Sequence, residues 1–432
     1  MTSTVSGAEI QISVGEAITR LMPGGVPFRL TAYDGSTAGP ADCPVHVHLE
    51  TPRGLSYLLT APGDLGMARA YVSGDVTLRG VHPGDPYQAM RLLPRESGIR
   101  LPSPAEALKI VRGLGWAHLL PPPPPPQEAP PRWRRLLEGF RHSRGRDADA
   151  ISHHYDVSNR FYELVLGRSM TYTCATFPDE DASLEDAQAF KYDLVCRKLG
   201  LQPGMRLLDV GSGWGGMVRH AARHFGVEVV GVTLSREQAS WAQEAIKRDG
   251  LDHVAEVRHA DYREVAETGF NAVSSIGLTE HIGIKQYPAY FGFLRDRLAP
   301  GGRLLNHCIT RPDNTATDTG AFIDRYVFPD GELTGSGRII TEMQNLGLEV
   351  RHEENLREHY ALTLKGWCEN LVEHWDECVA EVGEGTAKVW GIYMAGSRLS
   401  FERNEIQLHQ VLAVRPDEDG RAHFPLRPTW LG

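Results

Sequence analysis

A glycine-rich turn is the segment of this sequence best suited to bind a nucleotide-like ligand. An apolar run containing Asp209 leads into residues 211–216, Gly-Ser-Gly-Trp-Gly-Gly, and a helical pattern follows at 217–225. Glycines let a ligand approach the backbone where a parallel strand hands over to a helix N-terminus. Gly211 and Gly213 are therefore predicted to lie under the ligand, with Asp209 bonding its polar groups. The turn alone is common to proteins that bind NAD and to proteins that bind S-adenosylmethionine (SAM).

The end of the next predicted strand separates these two cofactors. A dinucleotide-binding fold places an Asp or Glu there to bind the ribose hydroxyls. Residues 227–235 read Val-Glu-Val-Val-Gly-Val-Thr-Leu-Ser, so the strand ends at Thr233 without a carboxylate. The dehydrogenase interpretation loses its main support.

The elements that position this turn alternate between strand and helix patterns. The predicted strands are 205–210, 227–233, 255–260, 270–276, 302–310, 346–353 and 405–414. The predicted helices are 214–225, 236–248 and 285–298. This alternation predicts a doubly wound, seven-stranded α/β domain. Long inserts at 311–345 and 356–403 are expected to wall the substrate site.

A run of six prolines, Pro121–Pro126, divides the chain of 432 residues. Such a segment is typical of a stiff spacer outside any core. We therefore expect a small mixed α+β domain at 1–120, a linker at 121–131 and the α/β domain at 132–432. The first domain is expected to have a strand-rich start and helices near 66–73 and 104–115.

Composition excludes several classes of protein. No apolar run approaches 20 residues, so no transmembrane span is expected. A net charge of −10 gives no overall attraction to nucleic acid. The six cysteines form no C-x-x-C pair, which argues against a structural zinc site and a disulfide framework. His46 and His48 share a strand face with metal-binding spacing, but without a third ligand we interpret them as surface histidines and expect no metal. The start of the chain lacks a signal-peptide pattern, so a cytoplasmic location is expected.

Several motifs along the chain, taken in their order, resemble those of a known family. They lie at 154–162, 169–175, 209–216, 231–238, 275–283, 357–360 and 406–410. In this order they resemble the cyclopropane fatty acid synthase family of SAM-dependent methyltransferases, over about 150–415. Within that family the second half of the chain is most similar to the methyltransferases of the 10-methyl-branched fatty acid pathway.

The resemblance implies a set of SAM contacts. Tyr172 and Thr173 would close over the methionine end, Thr233 and Gln238 would take the ribose, and Asp261 and Tyr262 would lie by the adenine. The complete implied set is Tyr172, Thr173, Asp209, Gly211, Gly213, Thr233, Leu234, Gln238, Asp261 and Tyr262. An ordinary helix N-cap box from Ser235 onward is the alternative interpretation of Thr233 and Gln238.

The resemblance also implies the acceptor and the base. The acceptor would be a cis double bond in a phospholipid acyl chain, and a bound bicarbonate, held by Glu280, His307 and Tyr360, would remove a proton. Glu280 and His307 each follow a predicted strand, which places both at the carboxyl edge of the sheet with Gly211. Cys174 could add its amide, or be a small buried residue. Aromatic residues able to face a carbocation are Tyr287, Tyr290, Phe291, Phe322, Tyr326, Phe328, Trp367 and Tyr393, most of them expected in the core.

The fate of the cation leaves two products open. We favour a 10-methylene acyl chain, which a flavin- or nicotinamide-dependent reductase could convert to a 10-methyl fatty acid; a cyclopropane ring is the alternative. Methylation of a small polar acceptor and a non-enzymatic SAM- or lipid-binding subunit are the rival functions. The intact set of Glu280, His307 and Tyr360 argues against the latter.

One local basic segment predicts a membrane contact. Residues 132–146 contain six arginines beside an apolar helical stripe of Trp133, Leu136, Leu137 and Phe140. This pattern favours an interfacial helix on anionic lipid at the inner face of the membrane. A helix packed on its own domain is the alternative. The N-terminal domain is a candidate for homo-oligomer assembly, although no residue in it demonstrates this.

Overall fold

A computed structural model of the chain describes residues 12–22, 24–93, 110, 112–130, 157–329 and 331–431. These residues form two compact units. The first comprises residues up to Ala129 together with Leu371–Leu399, and the second comprises Pro130–Asn370 with Ser400–Gly432. The division predicted from the proline run did not assign 371–399 to the N-terminal unit. The basic segment 132–146 and most of the helix predicted at 104–115 lie outside the described residues.

The first unit has a small mixed sheet with strand order β2-β1-β3-β4. Its first elements are α1 (Val14–Leu21), β1 (Arg29–Ala32), β2 (Thr37–Ala38), β3 (His46–Leu49), α2 (Pro52–Thr60), α3 (Asp64–Val72), β4 (Val76–Arg79) and α4 (Tyr87–Leu92). His46 and His48 lie on β3, and a ring nitrogen of each contacts the hydroxyl of Thr31. The predicted separate, mixed α+β domain is confirmed.

The linker predicted at 121–131 makes polar contacts with the helices of the first unit. The Tyr57 hydroxyl donates to the carbonyl of Pro123 at 2.6 Å. The Arg69 guanidinium donates to both carboxylate oxygens of the buried Glu128 at 2.6 and 2.7 Å. Proline lacks an N–H but keeps its carbonyl acceptor, so a polyproline segment can be fixed by donors from neighbouring helices.

The second unit contains the predicted seven-stranded sheet. Its strands are β5 (Arg206–Val210), β6 (Glu228–Thr233), β7 (Ala255–His259), β8 (Phe270–Ile276), β9 (Leu298–Thr310), β12 (Glu349–Asn355) and β13 (Gln407–Val414). The order is β12-β13-β9-β8-β5-β6-β7, and β13 runs antiparallel to both of its neighbours. The order reverses at β5, whose neighbours are β8 and β6, and this opens the crevice where α/β sheets bind ligands.

Helices cover both faces of this sheet. In the second unit, the described helices that precede β12 are α5 (Asn159–Leu166), α6 (Leu184–Leu199), α7 (Gly216–Phe225), α8 (Arg236–Arg248), α9 (Thr279–Ile282), α10 (Tyr287–Arg297), α11 (Ala321–Tyr326) and α12 (Ser336–Asn345). One core cluster joins α6, α7 and α8 to the sheet, and a second joins α10 and α12 to it. The doubly wound class I SAM methyltransferase fold is confirmed.

The two long inserts carry their own elements. The first contains a two-stranded ribbon of β10 (Thr317–Asp318) and β11 (Glu332–Leu333), together with α11 and α12. The second contains α13 (Arg357–Glu373), α14 (Trp375–Val382) and α15 (Glu384–Glu402). In the part of the chain that the structure describes, no helix combines the length and apolar content needed to cross a bilayer.

Candidate functional site

The glycine-rich turn adopts the backbone that the sequence requires of it. Gly211 and Gly213 have φ of +77° and +53°, a region that favours glycine. The amide of Gly211 donates to the carbonyl of Val232 at 3.0 Å, which fixes the turn to β6. A Cβ atom added at Gly211 would lie 3.1 Å from the Cβ of Leu278. The turn therefore keeps its backbone open at the start of α7.

Asp209 is buried beneath this turn, with 2% of its surface exposed. Its carboxylate accepts a hydrogen bond of 2.5 Å from the Ser274 hydroxyl. Burial raises the pKa of Asp209 to about 6, although the Ser274 bond and the Lys191 ammonium oppose this shift. Asp209 thus ends β5 as a carboxyl group shielded from water and close to a buried cation.

Thr173 is held by two side chains of α6 that sequence reasoning missed. The Lys191 ammonium donates to its hydroxyl at 2.8 Å, and the Gln188 amide donates to its carbonyl at 2.9 Å. Both side chains are fully buried. Their spacing of three residues places them on one helix face, which in sequence resembles an ordinary polar face. A Cβ at Gly277 would lie 2.7 Å from the Thr173 methyl, so Thr173 also packs against the end of β8.

Burial lowers the pKa of Lys191 to about 7, and the charge of Asp209 opposes this shift. Its ammonium also lies 4.1 Å from the centre of the Tyr192 ring.

Thr233 and Gln238 show the N-cap arrangement that was the alternative interpretation. The Ser235 hydroxyl accepts from the Gln238 amide at 3.2 Å and begins α8. The Thr233 hydroxyl donates to the Gln238 side-chain oxygen at 2.8 Å. Leu234, between them, is half-buried. The N-cap and a ribose contact are compatible, and the ribose contact stays a prediction.

Asp261 and Tyr262 follow β7 and are held mainly by neighbouring side chains. The Arg263 guanidinium donates to both oxygens of the Asp261 carboxylate, at 2.7 and 2.5 Å. The Tyr262 ring makes edge contacts with Tyr290 and Phe293. An adenine contact of this pair therefore stays a prediction.

Glu280 lies in the short helix α9, directly after β8. Its Oε1 accepts a hydrogen bond of 3.4 Å from the amide of Ile309. Its Oε2 is buried and has no hydrogen-bond partner among the described residues. Burial raises the pKa of Glu280 to about 7. The carboxyl group is therefore poised to exchange a proton near neutral pH.

His307 is fully buried within β9, which corrects the expectation that it follows the strand. β8 ends opposite His307, but β13 continues to pair with β9 as far as Thr310, so the strand extends beyond it. Its Nδ1 lies 3.2 Å from the Gln410 side-chain amide, and its Nε2 has no partner among the described residues. Burial holds the pKa of His307 well below its ordinary value, so the ring is neutral.

Tyr360 enters from the end of β12, on the first turn of α13. The amide of Leu356, just before this helix, donates to the carbonyl of Leu408 at 2.8 Å. The Cys174 thiol lies 3.8 Å from the Leu356 carbonyl. Burial raises the pKa of this thiol, so Cys174 is a small, neutral, buried residue beside the start of α13. A contribution of its amide stays a prediction.

The β9–β13 pair links the segments that carry the predicted trio. Ile309, whose amide binds Glu280, pairs with Leu408, whose carbonyl binds the turn before Tyr360. His307 lies two residues from Ile309 on the same strand. Glu280 and Tyr360 thus follow the carboxyl ends of β8 and β12 on either side of the strand that carries His307.

Aromatic rings connect this trio to the glycine-rich turn. The ring centre of Tyr172 lies 5.4 Å from Trp367 and 6.3 Å from Phe328. Trp367 in turn lies 6.1 Å from Tyr360. Tyr162 lies 6.0 Å from Tyr172 and also contacts Trp214 in the glycine-rich turn. We call Tyr162, Tyr172, Trp214, Phe328, Tyr360 and Trp367 the aromatic cluster.

Of the predicted aromatic residues, only Phe328 and Trp367 belong to the aromatic cluster. Tyr287, Tyr290 and Phe291 lie on the face of α10 that packs in the core. Tyr162 and Trp214 were not predicted as members of this cluster, because nothing in the sequence distinguishes their rings from other buried rings.

Comparisons with known proteins agree with this fold. A family model described as mycolic acid cyclopropane synthetase matches residues 142–411. A protein of Mycobacterium tuberculosis named probable fatty acid methyltransferase is 64% identical over 405 residues, which are 94% of this chain and 95% of that protein. The tuberculostearic acid methyltransferase of the same organism is 30% identical over 405 residues, with 90% and 88% covered. The crystal structure of a mycolic acid cyclopropane synthase complexed with SAH and CTAB is 31% identical with a TM-score of 0.58, covering 62% of this chain and 97% of that chain.

Proposed function

This chain belongs to the mycolic acid cyclopropane synthetase family, and we propose that it methylates the cis double bond of an unsaturated phospholipid acyl chain. It is a SAM-dependent methyltransferase that acts on fatty acids. The proposal adds the phospholipid acceptor and a 10-methylene product. The observation that carries it is that Glu280 Oε2 and His307 Nε2 are both buried and have no hydrogen-bond partner among the described residues.

SAM would lie over Gly211 and Gly213, where bound SAM supplies an electrophilic methyl group on a sulfonium. The open backbone of the turn and the helix N-terminus behind it suit a nucleoside ligand. Lys191 and Gln188 fix Thr173, so the segment with Tyr172 and Thr173 is positioned to close over the methionine end.

The acceptor is the weaker partner, because an alkene is a poor nucleophile. Holding it against the methyl group can lower the barrier by roughly 7–11 kcal/mol in well-oriented systems. When the π electrons form the new C–C bond, the S–C bond breaks and a cation remains on the neighbouring acyl carbon. Aromatic faces stabilise a cation by roughly 0.5–2 kcal/mol each. Tyr172, Trp367 and Tyr360 provide such faces and exclude water.

A proton must then leave the cationic acyl chain. For a methylene product, hydride migrates from the methylated carbon to its neighbour, and the new methyl group loses the proton. Bicarbonate bound at Glu280, His307 and Tyr360 would supply a compact base at this point. The fit rests on Glu280 Oε2 and His307 Nε2, two buried polar atoms in need of partners. Glu280, whose pKa is raised to about 7, can hold or accept a proton there.

Two products remain candidates on this chemistry. The similarity to a tuberculostearic acid methyltransferase extends over most of both chains and favours the 10-methylene product, which a flavin- or nicotinamide-dependent reductase would saturate. The family model and the cyclopropane synthase structure favour the alternative, a cyclopropane ring. The aromatic cluster argues against a small polar acceptor, which would require polar partners in place of rings.

Access to the acceptor requires contact with a membrane surface. We include in the proposal that the basic segment 132–146, outside the described residues, docks on anionic lipid at the inner face of the membrane. Assembly into a homo-oligomer likewise stays a prediction.

The test is expression of the full chain in a host that contains oleate, followed by mass spectrometry of the acyl chains. The expected product is a methylated C18 chain that takes up hydrogen on mild catalytic hydrogenation, as an alkene does. A product that resists hydrogenation and has the same mass as the methylene chain would identify a cyclopropane ring. Absence of any methylated acyl chain, with SAM binding intact, would reject the proposed function.

A further inference from the structure

A buried row of hydrogen bonds connects His307 to the edge of the sheet. The Lys198 ammonium of α6 donates to the Gln410 side-chain oxygen at 2.7 Å and also pairs with the Glu354 carboxylate of β12. The Gln410 amide nitrogen lies 3.2 Å from His307 Nδ1. Lys198, Gln410 and His307 each expose at most 1% of their side chain or residue surface, whereas the Glu354 side chain is 38% exposed.

The chemistry of this row fixes the direction of every bond. An ammonium group has donors and no acceptor, so the oxygen of Gln410 must face Lys198. The NH₂ of Gln410 then faces His307 and can only donate. Nδ1 of His307 therefore accepts, and the proton of the neutral ring resides on Nε2. Burial lowers the pKa of Lys198, and the Glu354 carboxylate, which pairs with the ammonium group, opposes this shift.

The His307 ring does not take a second proton and so remains neutral. Burial and the ammonium charges of Lys191 and Lys198 lower the pKa of His307 well below its ordinary value. A neutral ring with Nδ1 occupied as an acceptor has one N–H left, and that N–H is the buried Nε2 without a partner.

We propose that Gln410 and Lys198 are positioning residues that hold His307 as the Nε2–H tautomer, so that His307 donates a hydrogen bond to the ligand beside Glu280 and does not act as the base. This proposal rests on the proposed function for the identity of the ligand, but not for the tautomer. The three residues of the trio then have different roles. His307 binds a negatively charged or carbonyl oxygen, and Glu280, or the anion that Glu280 holds, accepts the proton.

The test replaces the donor at Nδ1 with an acceptor. In Gln410→Glu, one carboxylate oxygen can keep the bond to Lys198 while the other accepts from Nδ1–H, so the proton should move to Nδ1. Imidazole-¹⁵N-labelled protein distinguishes the tautomers by NMR, and the His307 signals are those missing from His307→Gln. Gln407→Glu is the matched control, because Gln407 lies on the same strand and bonds to Asn404.

The expected result is Nε2–H in the wild type and in Gln407→Glu, and an Nδ1-protonated ring in Gln410→Glu with a loss of kcat of at least about tenfold. Should Gln410→Glu not fold, Lys198→Met replaces it and should give a mixture of tautomers. Nδ1–H in the wild type, or a tautomer unchanged by both variants, would overturn the proposal. A wild-type Nε2–H ring in a protein that methylates no lipid would instead refute the proposed function alone.

Discussion

The raised pKa of Glu280 predicts how the stability of the protein depends on pH, independently of any role in the reaction. Its native pKa is about 7, above the ordinary value of 4.5, because burial penalises the carboxylate. The native state therefore binds this proton more tightly than the unfolded chain. The stabilising contribution is complete below the unfolded pKa and is lost as the pH rises through about 7. Glu280→Gln mimics the protonated form at every pH and should escape this loss.

The magnitude follows from the two pKa values. At pH 5 most of the unfolded carboxyl groups are already ionised, whereas the native group is still protonated and must ionise while buried as the pH rises to 8. With 1.36 kcal/mol for each pKa unit, the wild type should lose about 2–3 kcal/mol relative to Glu280→Gln over this range. For a unit of this size, that corresponds to a relative shift in melting temperature of roughly 4–10 °C.

The assay is thermal unfolding of both proteins, without ligands, at pH 5 and pH 8. Glu369→Gln is the control, because Glu369 is exposed on α13 and, among the described residues, pairs with Lys365 across one turn. The control should show no comparable pH-dependent difference. A Glu280→Gln protein whose stability relative to wild type is the same at both pH values would refute the argument that Glu280 is a buried carboxyl group with a raised pKa.

Three further outcomes follow from the site and the basic segment. Gly211→Ala should weaken SAH binding at least about tenfold in calorimetry, since φ is +77° and the added Cβ narrows the turn; an unchanged affinity would contradict the placement of SAM. Trp367→Leu should lower kcat by up to about 30-fold with little change in SAH binding; full activity would remove this ring from cation stabilisation. Reversing charge at Arg134, Arg135 and Arg141 to Glu should abolish flotation with anionic liposomes and spare SAH binding, at roughly 1 kcal/mol per basic residue; unchanged flotation would reject membrane docking by this segment.

The fold was predictable because its signals are local. Each strand of the large sheet is a short apolar run bounded by turn residues, and the predicted bounds of α8 match the structure because Ser235 caps its first turn. The antiparallel pairing of β13 was not predictable from local signals, although the predicted end of the strand at 310 agrees with the end of β9. The hydrogen bond to the Pro123 carbonyl was missed because its donor, Tyr57, is distant in sequence.

The residues of the candidate site likewise include some that local sequence predicts and others that it does not. Gly211 and Glu280 follow strands, and their positions could be inferred from strand ends alone. Gln410, Lys198 and Lys191 could not, because a buried polar side chain is recognised only by the partners that tertiary structure brings to it. These three residues determine how His307 and Thr173 present their polar atoms to the site.

The most direct test of the proposed reaction uses purified protein, methyl-¹³C SAM and vesicles that contain an oleoyl phospholipid and an anionic lipid. After incubation, the extracted lipid is examined by ¹³C NMR, which separates an alkene methylene carbon from a cyclopropane carbon. The account predicts a labelled alkene =CH₂ carbon on the acyl chain, absent without protein and greatly reduced with Glu280→Gln. Label that remains entirely outside the acyl chains, in a protein that binds SAH, would contradict it.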